Sequence, residues 1–438
     1  MRNHFTYTIQ NKKYFAQKLI FWAKKFKYSL FLDSNKQSKT MPKSYDHYDL
    51  LFAVGASKIC SPKNDSFEKL QAFYEQNKDW MFGYFSYDLK NETDNLTSEN
   101  IDNLHFPNLF FFIPKVVFNL KEDTLFVDTF STKKDTDKLI EEIKNYDEEI
   151  GFFGNLKLQK RESKQGYLEK IKQIKANIKR GDIYEMNYCQ EFFSENVSLD
   201  SESLFCKLNI KTKAPFSCFF HLEDKYLLCF SPERFLRKDN QNLLSQPIKG
   251  TRKRSVEIQE DERLKTELQK SGKDKSENVM ITDLVRNDLS KFASKASVKV
   301  DELFGVYSFK QVHQMISTIS AEISSKYHFV DAIKGAFPMG SMTGAPKRKA
   351  MELIEKYETT KRGLFSGSVG YISPCADFDF NVVIRSILYN KSEKYFSVMA
   401  GGAITDKSVA EQEYDECFVK VKAILEIASE KNYNTCGS

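Results

Sequence analysis

The stretch FSCFFHLEDKYLLCFSP, residues 216–232, contains two apolar runs, FSCFFHL and YLLCFSP, with three charged residues between them. Short apolar runs bounded by polar residues are typical of buried β-strands. No helical pattern separates the two runs, and the strand–helix–strand rhythm of doubly wound folds is absent. The stretch therefore favours an antiparallel sheet.

The flanking sequence extends this pattern in both directions. Further strands are predicted at 185–193 (EMNYCQEFF), 369–373, 381–390 and 394–399, and helices at 164–181, 276–292 and 409–429. We expect an α+β, or mixed α/β, fold with a large and mostly antiparallel core flanked by helices. The polar stretch 150–162 predicts a boundary between an N-terminal region, 1–155, and a second region, 160–430.

Composition narrows the class of protein. The 438 residues include 41% hydrophobic residues, 37 Phe and 21 Tyr, enough for a large core. Basic and acidic residues are interspersed with a net charge of +6, so we expect no nucleic-acid partner. The longest apolar runs are far shorter than the ~20 residues that span a bilayer, so no membrane association is expected. Eight cysteines without a C-x-x-C pair, and no apolar stretch at the N-terminus, predict buried free thiols in a cytoplasmic protein.

A first acidic segment is GGAITDKSVAEQEYDECFVKVKAIL at 401–425. Ser408 is a good N-cap and Glu411 lies three residues on, which is the spacing of a capping box. Glu413 and Glu416 are three residues apart and share one helix face. Two like charges there repel unless a cation lies between them, although Glu416 can also pair with Lys420 at i+4.

A second acidic segment is DKSENVMITDLVRNDLSKF at 274–292. Asp274 can cap this helix with Glu277 completing a capping box. Alternatively, Glu277 can face Glu413 and Glu416 and form a site of hard oxygen ligands. Mg²⁺ favours such a site, because it takes one or two carboxylates together with waters and substrate oxygens.

Three segments carry groups that bind anions. FPMGSMTGAPKRKAMELI begins at Phe337 and has a Gly/Ser/Thr-rich turn before a helix, where backbone amides and the Thr343 hydroxyl can hold a carboxylate or simply cap the helix. AGGA at 400–403 ends a strand and can bring backbone N–H groups close to a ligand. Arg385 lies in the apolar stretch NVVIRSILY, where its charge needs a bound anion or an exposed strand edge.

PIKGTRKR at 247–254 poses a separate question. Lys249 is either one more solvated cation among the 66 Lys and Arg residues or a reactive amine. The segment alone leaves both interpretations open.

Taken together, these segments resemble the chorismate-utilising enzymes, a family that includes anthranilate synthases, aminodeoxychorismate synthases and isochorismate synthases. The motifs occur in order across 165–428 and are GDIYEMNYCQEF, SPERFL, PIKGT, ENVMITDLVRNDL, YSFKQVH, GSMTGAPK, GSVGYI, NVVIRS and AGGAITDKSVAEQEYDE. The N-terminal region resembles the family more weakly, through GYFSYDL and FLDS. The resemblance implies a two-sheet α+β core like that of anthranilate synthase component I.

Lys249 distinguishes between the branches of this family. Anthranilate synthases have Ala in place of this lysine, whereas aminodeoxychorismate synthases typically read P-I-K-G-T. Isochorismate synthases have a lysine where this chain has Glu185, which argues against that branch. The resemblance thus implies that Lys249 is a covalent nucleophile, and we expect burial or a neighbouring cation such as Arg252 to lower its pKa.

The resemblance also implies the reaction and its partners. Lys249 attacks C2 of chorismate while Glu233 protonates the departing C4 hydroxyl, and ammonia then adds at C4 and expels the lysine. A separate glutamine amidotransferase subunit is implied as the ammonia source, because the chain resembles no such enzyme. Mg²⁺ is implied as the cofactor, with Glu277 and Glu416 as ligands and Glu413 in support. The implied substrate-binding residues are Gly250, Thr251, His313, Thr343, Lys347, Arg385, Gly401 and Gly402.

Two other functions stay open at this point. The first is an anthranilate synthase component I of the same fold, against which Lys249 argues. The second is an inactive relative that serves as a binding subunit. Against it, Glu233, Glu277, Glu413 and Glu416 are all retained, although like charges repel without a metal.

Overall fold

A computed structural model gives the structure of residues 1–35, 48–151, 154 and 156–429. The helices are α1 (Lys12–Trp22), α2 (Ser66–Asn77), α3 (Lys90–Thr93), α4 (Lys133–Asn145), α5 (Lys164–Arg180), α6 (Ser201–Thr212), α7 (Ile258–Lys270), α8 (Gly272–Ser290), α9 (Phe329–Ala336), α10 (Lys347–Tyr357) and α11 (Ala410–Ser429). The strands are β1 (Asn3–Thr8), β2 (Tyr28–Asp33), β3 (Leu50–Cys60), β4 (Met81–Phe85), β5 (Leu109–Lys121), β6 (Thr124–Thr129), β7 (Gln159–Lys160), β8 (Glu185–Ser194), β9 (Phe216–Leu222), β10 (Lys225–Ser231), β11 (Arg234–Asp239), β12 (Asn242–Gln246), β13 (Ile248–Lys253), β14 (Lys299–Ser308), β15 (Val312–Glu322), β16 (Gly344–Ala345), β17 (Ser368–Ile372), β18 (Phe378–Asn381), β19 (Ser386–Asn390) and β20 (Tyr395–Ile404).

The two apolar runs of 216–232 form an antiparallel hairpin. Strands β9 and β10 pair from Phe216 opposite Ser231 to Leu222 opposite Lys225, so Glu223 and Asp224 make the turn. Every ladder between named strands in the described part of the chain is antiparallel. The predicted fold class is confirmed.

The strands join in one hydrogen-bonded network with two arms that meet at the long strand β5. The first arm runs β1–β6–β5–β3–β2–β9–β10–β19–β20–β8, with the short strands β7 and β16 on β8. The second arm runs β5–β4–β17–β18–β11–β12–β15, with β13 and β14 also on β15. This arrangement is the two-sheet core that the resemblance implies.

Both faces of the central strands of the first arm are buried. In β3, Leu51 and Ala53 pack into a core cluster that includes Phe235 and Leu243 of the second arm. The alternate residues of β3, such as Phe52, pack into another cluster with helices α1, α4, α5, α6 and α11. Because successive strand residues point to opposite faces, burial on both sides makes these strands apolar throughout rather than alternating.

The two regions predicted from the polar stretch 150–162 share this network. Strand β2 pairs with β9, and β4 pairs with β17, so strands of residues 1–155 are built into the sheets of 160–430. The two regions are therefore consecutive parts of the chain whose strands belong to the same sheets. Residues 155 and 430, which bound it, lie outside the described part of the chain.

Three local predictions need correction. The predicted strand 381–390 is two strands, β18 and β19, separated by a break in which Arg385 has a φ of 51°. Helix α8 is capped by Ser271, whose side chain accepts from the Asp274 backbone N–H, so Asp274 is not the N-cap. Helix α11 begins at Ala410, and the Ser408 hydroxyl accepts from the Thr405 backbone N–H ahead of the helix.

The cysteines follow the prediction in the part of the chain that the structure describes. All seven are free thiols and six are buried, with Cys375 exposed. Cys436 lies outside the described residues. Among the described helices, none combines the length and the apolar character needed to cross a bilayer.

Candidate active site

A large cavity opens where the two arms of the sheet approach helices α8 and α11. Its volume is about 790 Å³, within the range of small-molecule sites. Strand β13 of the second arm and strand β20 of the first both contribute to its wall. The predicted site residues that line it are Glu233, Lys249, Gly250, Thr251, Glu277, Arg385, Gly401, Gly402, Glu413 and Glu416.

Lys249 is a buried amine in this cavity. It lies in β13 and is 8% exposed. Its Nζ donates to Glu185 Oε1 at 2.6 Å, and Glu185, the first residue of β8, is 4% exposed. The interpretation of Lys249 as a solvated surface cation is therefore excluded. The ion pair joins a strand of each arm.

The expected lowering of the Lys249 pKa is wrong. Burial lowers the pKa of this amine, but the carboxylates of Glu185, Glu277 and Glu233 outweigh that effect and raise it. Arg252 does not act as the predicted cationic neighbour, because its guanidinium binds the carboxylates of Glu267 and Asp274, each at 2.9 Å. Before it can attack a substrate, Lys249 must pass its proton to a nearby acceptor.

Glu233 is a buried carboxyl group with a raised pKa. It follows the Ser231–Pro232 turn at the end of β10 and is buried on the cavity wall. Burial raises its pKa to about 7, although the Ser341 hydroxyl and the charge of Lys249 partly oppose the shift. A carboxyl group that titrates near neutral pH holds a proton it can donate.

This shift predicts a pH-dependent stability. An unfolded glutamate releases its proton near 4.5, whereas folded Glu233 holds it to about pH 7. Between these values the folded state binds more protons, so the free energy of unfolding falls as pH rises, by about 3 kcal/mol from this group. Urea unfolding of Glu233→Gln at pH 5 and pH 8 should show that component removed, whereas Glu411→Gln, an exposed control, should keep it. If the free energy of unfolding changed between pH 5 and pH 8 by the same amount in wild type and in Glu233→Gln, the raised pKa of Glu233 would be contradicted.

The three predicted metal carboxylates line one side of the cavity, around a lysine. Burial raises the pKa of Glu277 to about 7 and also raises that of Glu413. Lys273 Nζ lies 3.9 Å from Glu277 Oε1, and its positive charge acts on Glu277, Glu413 and Glu416 alike. Because α8 is capped by Ser271, the alternative role of Glu277 in a capping box is not observed.

No group of three or more His, Cys, Asp or Glu side chains in the described residues is arranged to hold a metal ion by itself. Mg²⁺ does not require such a group, because it usually keeps several waters and binds one or two carboxylates. Carboxylates held partly protonated by burial are also groups whose negative charge a cation would stabilise. The donor set therefore fits Mg²⁺ in its chemistry.

Glu416 makes the alternative contact predicted for it. Its carboxylate binds Lys420 one turn along α11 at 2.7 Å. Burial tends to raise the pKa of Glu416, but Lys420 outweighs that effect and lowers it. Lys420 also donates to the backbone oxygen of Gly401, which ties α11 to β20.

Gly401 and Gly402 lie in closely packed positions at the cavity. A Cβ on Gly401 would lie 1.9 Å from the Tyr188 backbone oxygen of the neighbouring strand β8. A Cβ on Gly402 would lie 3.0 Å from Glu413 Oε2. A side chain at Gly401 would displace β8, whereas one at Gly402 would require only a small shift of the Glu413 carboxylate. These glycines thus keep backbone close to the carboxylates.

Arg385 supplies a cation to the cavity wall. Its backbone φ of 51° is uncommon for a residue with a side chain. Burial lowers the pKa of its guanidinium, partly opposed by the charge of Glu416. Among the residues the structure describes, none forms a hydrogen bond or an ion pair with this guanidinium. A half-buried cation of this kind is suited to a substrate carboxylate.

Three predicted substrate-binding residues do not line the cavity. Both ring nitrogens of His313 are occupied, by Ser308 Oγ at 2.8 Å and Asp261 Oδ1 at 3.0 Å. The Thr343 hydroxyl is buried and donates to the backbone oxygen of Met339. Lys347 Nζ binds Asp288 Oδ2 at 2.5 Å. Their polar groups thus form hydrogen bonds or ion pairs within the protein.

Two charged groups, one beside the cavity and one lining it, were missed as site residues in the sequence. Glu185 is the partner of Lys249, yet the two residues belong to strands of different arms, so their spacing in the chain gives no signal. Lys273 could have been found, because it precedes Glu277 by one helical turn and i,i+4 charges interact. Both are charged and touch predicted functional groups.

The sequence of this chain is similar to those of a known protein family and of several named proteins. The profile of the chorismate binding enzyme family matches residues 8–426. The chain is 42% identical over 263 residues to aminodeoxychorismate synthase component 1 of Escherichia coli (strain K12), covering 60% of this chain and 57% of that protein. It is 30% identical over 366 residues to aminodeoxychorismate synthase component 1 of Bacillus subtilis (strain 168), covering 80% and 77%. The chain thus spans little more than half the length of its Escherichia coli relative.

The fold is shared as well. The menaquinone-specific isochorismate synthase from Escherichia coli superposes with a TM-score of 0.78 over 98% of this chain and 94% of that chain, at 14% identity. At that identity the likeness concerns the fold alone. The family match, however, extends over nearly the whole chain and includes the strands and helices that form the cavity. The chain therefore belongs to the chorismate binding enzyme family.

Proposed function

We propose that this chain is an aminodeoxychorismate synthase component 1, which converts chorismate and ammonia to 4-amino-4-deoxychorismate, the precursor of 4-aminobenzoate and folate. The observation that carries the proposal is the buried amine of Lys249 in the cavity, next to three carboxylates. The names of the relatives from Escherichia coli and Bacillus subtilis support it.

In the proposed reaction, Lys249 is the nucleophile and Glu233 is the general acid. The neutral amine of Lys249 attacks C2 of the ring, the double bond moves, and the C4–O bond breaks. Glu233, with a pKa of about 7, gives its proton to the departing oxygen, which leaves as water. Ammonia then attacks C4 and expels the lysine. Lys249 is well suited to both steps, because β13 fixes its backbone.

Substrate carboxylates would be held by donors spread around the cavity. Arg385 offers its guanidinium, and Thr251 offers a hydroxyl from β13. The backbone amides at Gly401 and Gly402 can approach a ligand closely, because no side chains cover them. Chorismate has one carboxylate on its ring and one on its enolpyruvyl side chain, so both can be met only by donors at different points of the cavity.

Mg²⁺ is the proposed cofactor, held by Glu277 and Glu416 with Glu413 in support. When bound, it would neutralise the negative charge of a substrate carboxylate and anchor it. Lys273 would have to move away from the carboxylates as the ion binds, which its half-exposed side chain permits.

We further propose a cytoplasmic enzyme that receives ammonia from a glutamine amidotransferase subunit. The designation "component 1" of its relatives supports a partner component. Free thiols at all described cysteines fit a reducing compartment.

Product analysis tests the proposal. Purified protein incubated with chorismate, ammonium and Mg²⁺ should form 4-amino-4-deoxychorismate, detected by chromatography and mass spectrometry, with no pyruvate released. Anthranilate together with pyruvate would instead identify an anthranilate synthase. No product, and no thermal stabilisation by chorismate and Mg²⁺ together, would favour the inactive binding subunit, since a ligand at 100 times its Kd stabilises by about 2.7 kcal/mol.

A further inference from the structure

Glu185 is a buried charged group beside the cavity, and the proposed reaction gives it no part. Its Oε1 accepts from Lys249 Nζ at 2.6 Å. Its Oε2 is buried and has no hydrogen-bond donor among the described residues. A buried carboxylate oxygen without a donor is costly. Structural ion pairs normally satisfy both oxygens, so this one is poorly explained by stability alone.

The backbone on both sides of the pair is held in place. Glu185 pairs with Ala345 of β16, and the Tyr184 backbone N–H donates to the Ala345 oxygen at 2.7 Å. Lys249 is in β13, which pairs with β15. A Cβ on Gly344 would lie 2.2 Å from the Glu185 backbone oxygen, so β8 and the 340–345 turn are in close contact. The carboxylate and the amine therefore meet with little freedom, which is the geometry that fast proton transfer needs.

We propose that Glu185 is a catalytic residue, the general base that takes the proton from Lys249 and so produces the nucleophile. The inference rests on the proposed function. One proton moves from Lys249 Nζ to Glu185 Oε1, which turns a buried ammonium and a buried carboxylate into a neutral amine and a neutral carboxylic acid. Both buried charges disappear in one step, and no water is needed as an acceptor.

The protons balance over the whole reaction. After attack at C2, the Lys249 nitrogen is a secondary ammonium, and Glu233 has lost its proton to the water that leaves. Ammonia attacks C4 and becomes an ammonium there, while the C2–N bond breaks and Lys249 leaves as a neutral amine. The C4 ammonium returns a proton to Glu233, and Glu185 returns its proton to Lys249. The enzyme is thus restored without an outside acid or base.

The other carboxylates are less suited to this role. Glu233 must hold its own proton for the leaving hydroxyl, so it cannot also receive one from Lys249. Glu277 acts on Lys249 through its charge, but the hydrogen bond from Nζ goes to Glu185. Glu277 is also the proposed Mg²⁺ ligand, which requires it to be ionised and turned to the ion.

The test uses Glu185→Gln, which keeps an oxygen that can accept from Lys249 but cannot take its proton. The full chain is mixed with chorismate and Mg²⁺ without ammonia, and the mass increment on the peptide containing Lys249 is followed over time from pH 6 to pH 9. We expect adduct formation at pH 7 to be about 100-fold slower than in wild type or slower still. The ratio of the variant rate to the wild-type rate should rise with pH, because solvent then deprotonates Lys249. Taking the ratio cancels the titration of Glu233.

Two further variants control for structure. Glu202→Gln removes another buried carboxyl group, on α6 and away from the cavity lining, and should form adduct at the wild-type rate. Glu185→Asp keeps a carboxylate and should recover part of the rate, which a loss of folding alone would not allow.

The outcomes separate the inference from the proposed function. If wild type forms the adduct and Glu185→Gln matches or exceeds its rate at pH 7, Glu185 is not the base. If the variant is slow but the ratio is flat with pH, Glu185 is structural and the inference is also overturned. If wild type forms no adduct and no 4-amino product, the proposed function itself is wrong and the inference falls with it.

Discussion

Lys249→Ala is expected to abolish amination at C4 of chorismate while chorismate still binds. The substitution removes the nucleophile, but Glu233, Arg385 and the acidic side of the cavity stay in place. Ammonia can then attack only directly at C2, so a trace of C2-aminated product is expected in place of the C4 product. Turnover should be measured by product chromatography and binding by calorimetry. Lys334→Ala, at an exposed surface pair with Glu68, is the matched control and should retain full activity.

Native protein should show the corresponding covalent intermediate. With chorismate and Mg²⁺ but no ammonia, Lys249 should carry a mass increment without borohydride, because the bond joins an amine to a ring carbon and is not an imine. Removing one partner of a buried ion pair costs about 3–5 kcal/mol, so Lys249→Ala should be compared at a temperature where it is folded. Lys249 is not the nucleophile if the variant forms the C4 product at the wild-type rate and the native protein forms no adduct.

Glu277→Gln is expected to reduce turnover by several orders of magnitude, with no rescue at high Mg²⁺. The change removes one negative charge from the proposed metal site and preserves the size of the side chain. Folding should survive, since α8 is capped by Ser271 and burial already raises the pKa of Glu277 to about 7. A neutral amide at a site that disfavours ionisation should leave the free energy of unfolding unchanged or slightly higher.

Calorimetric titration with Mg²⁺ gives a readout independent of turnover. Affinity for Mg²⁺ in the presence of chorismate should fall in Glu277→Gln and be unchanged in Asp283→Asn, an exposed carboxylate on the same helix that pairs with Arg286. Near-normal turnover, or unaltered Mg²⁺ affinity, in Glu277→Gln would show that Glu277 is not a ligand of Mg²⁺.

Local sequence pattern was sufficient for the fold class. The apolar runs in 216–232 are too close together for a crossover helix, so the antiparallel hairpin could be predicted. The arrangement of the two arms could not, because β4 pairs with β17 and no local signal links the two strands. The predicted strand 381–390 failed for a related reason. Its residues are mostly apolar, but the strand is interrupted at Arg385, where φ is 51°, and an apolar pattern does not reveal such a break.

The motifs predicted which residues form the site better than they predicted the partners that those residues contact. Lys249, Glu233 and the acidic residues of α8 and α11 meet as the resemblance implied. His313 and Lys347 do not reach the cavity, because Asp261 and Asp288 bind them. Those acids lie 52 and 59 positions away in the chain. Partners at such separations are set by the tertiary fold and cannot be deduced from the composition of a motif.

The pairing of early strands with late ones has a consequence for synthesis of the chain on the ribosome. Phe85 of β4 finds its partner in Ser368, and Leu30 of β2 finds its partner in Phe220. The core between the two arms cannot close until most of the protein has left the exit tunnel. Until then, strands such as β4 and β2 stay unpaired along one edge and are open to aggregation. Production of the protein should therefore depend on the supply of chaperones and on slow translation more than its final stability would suggest.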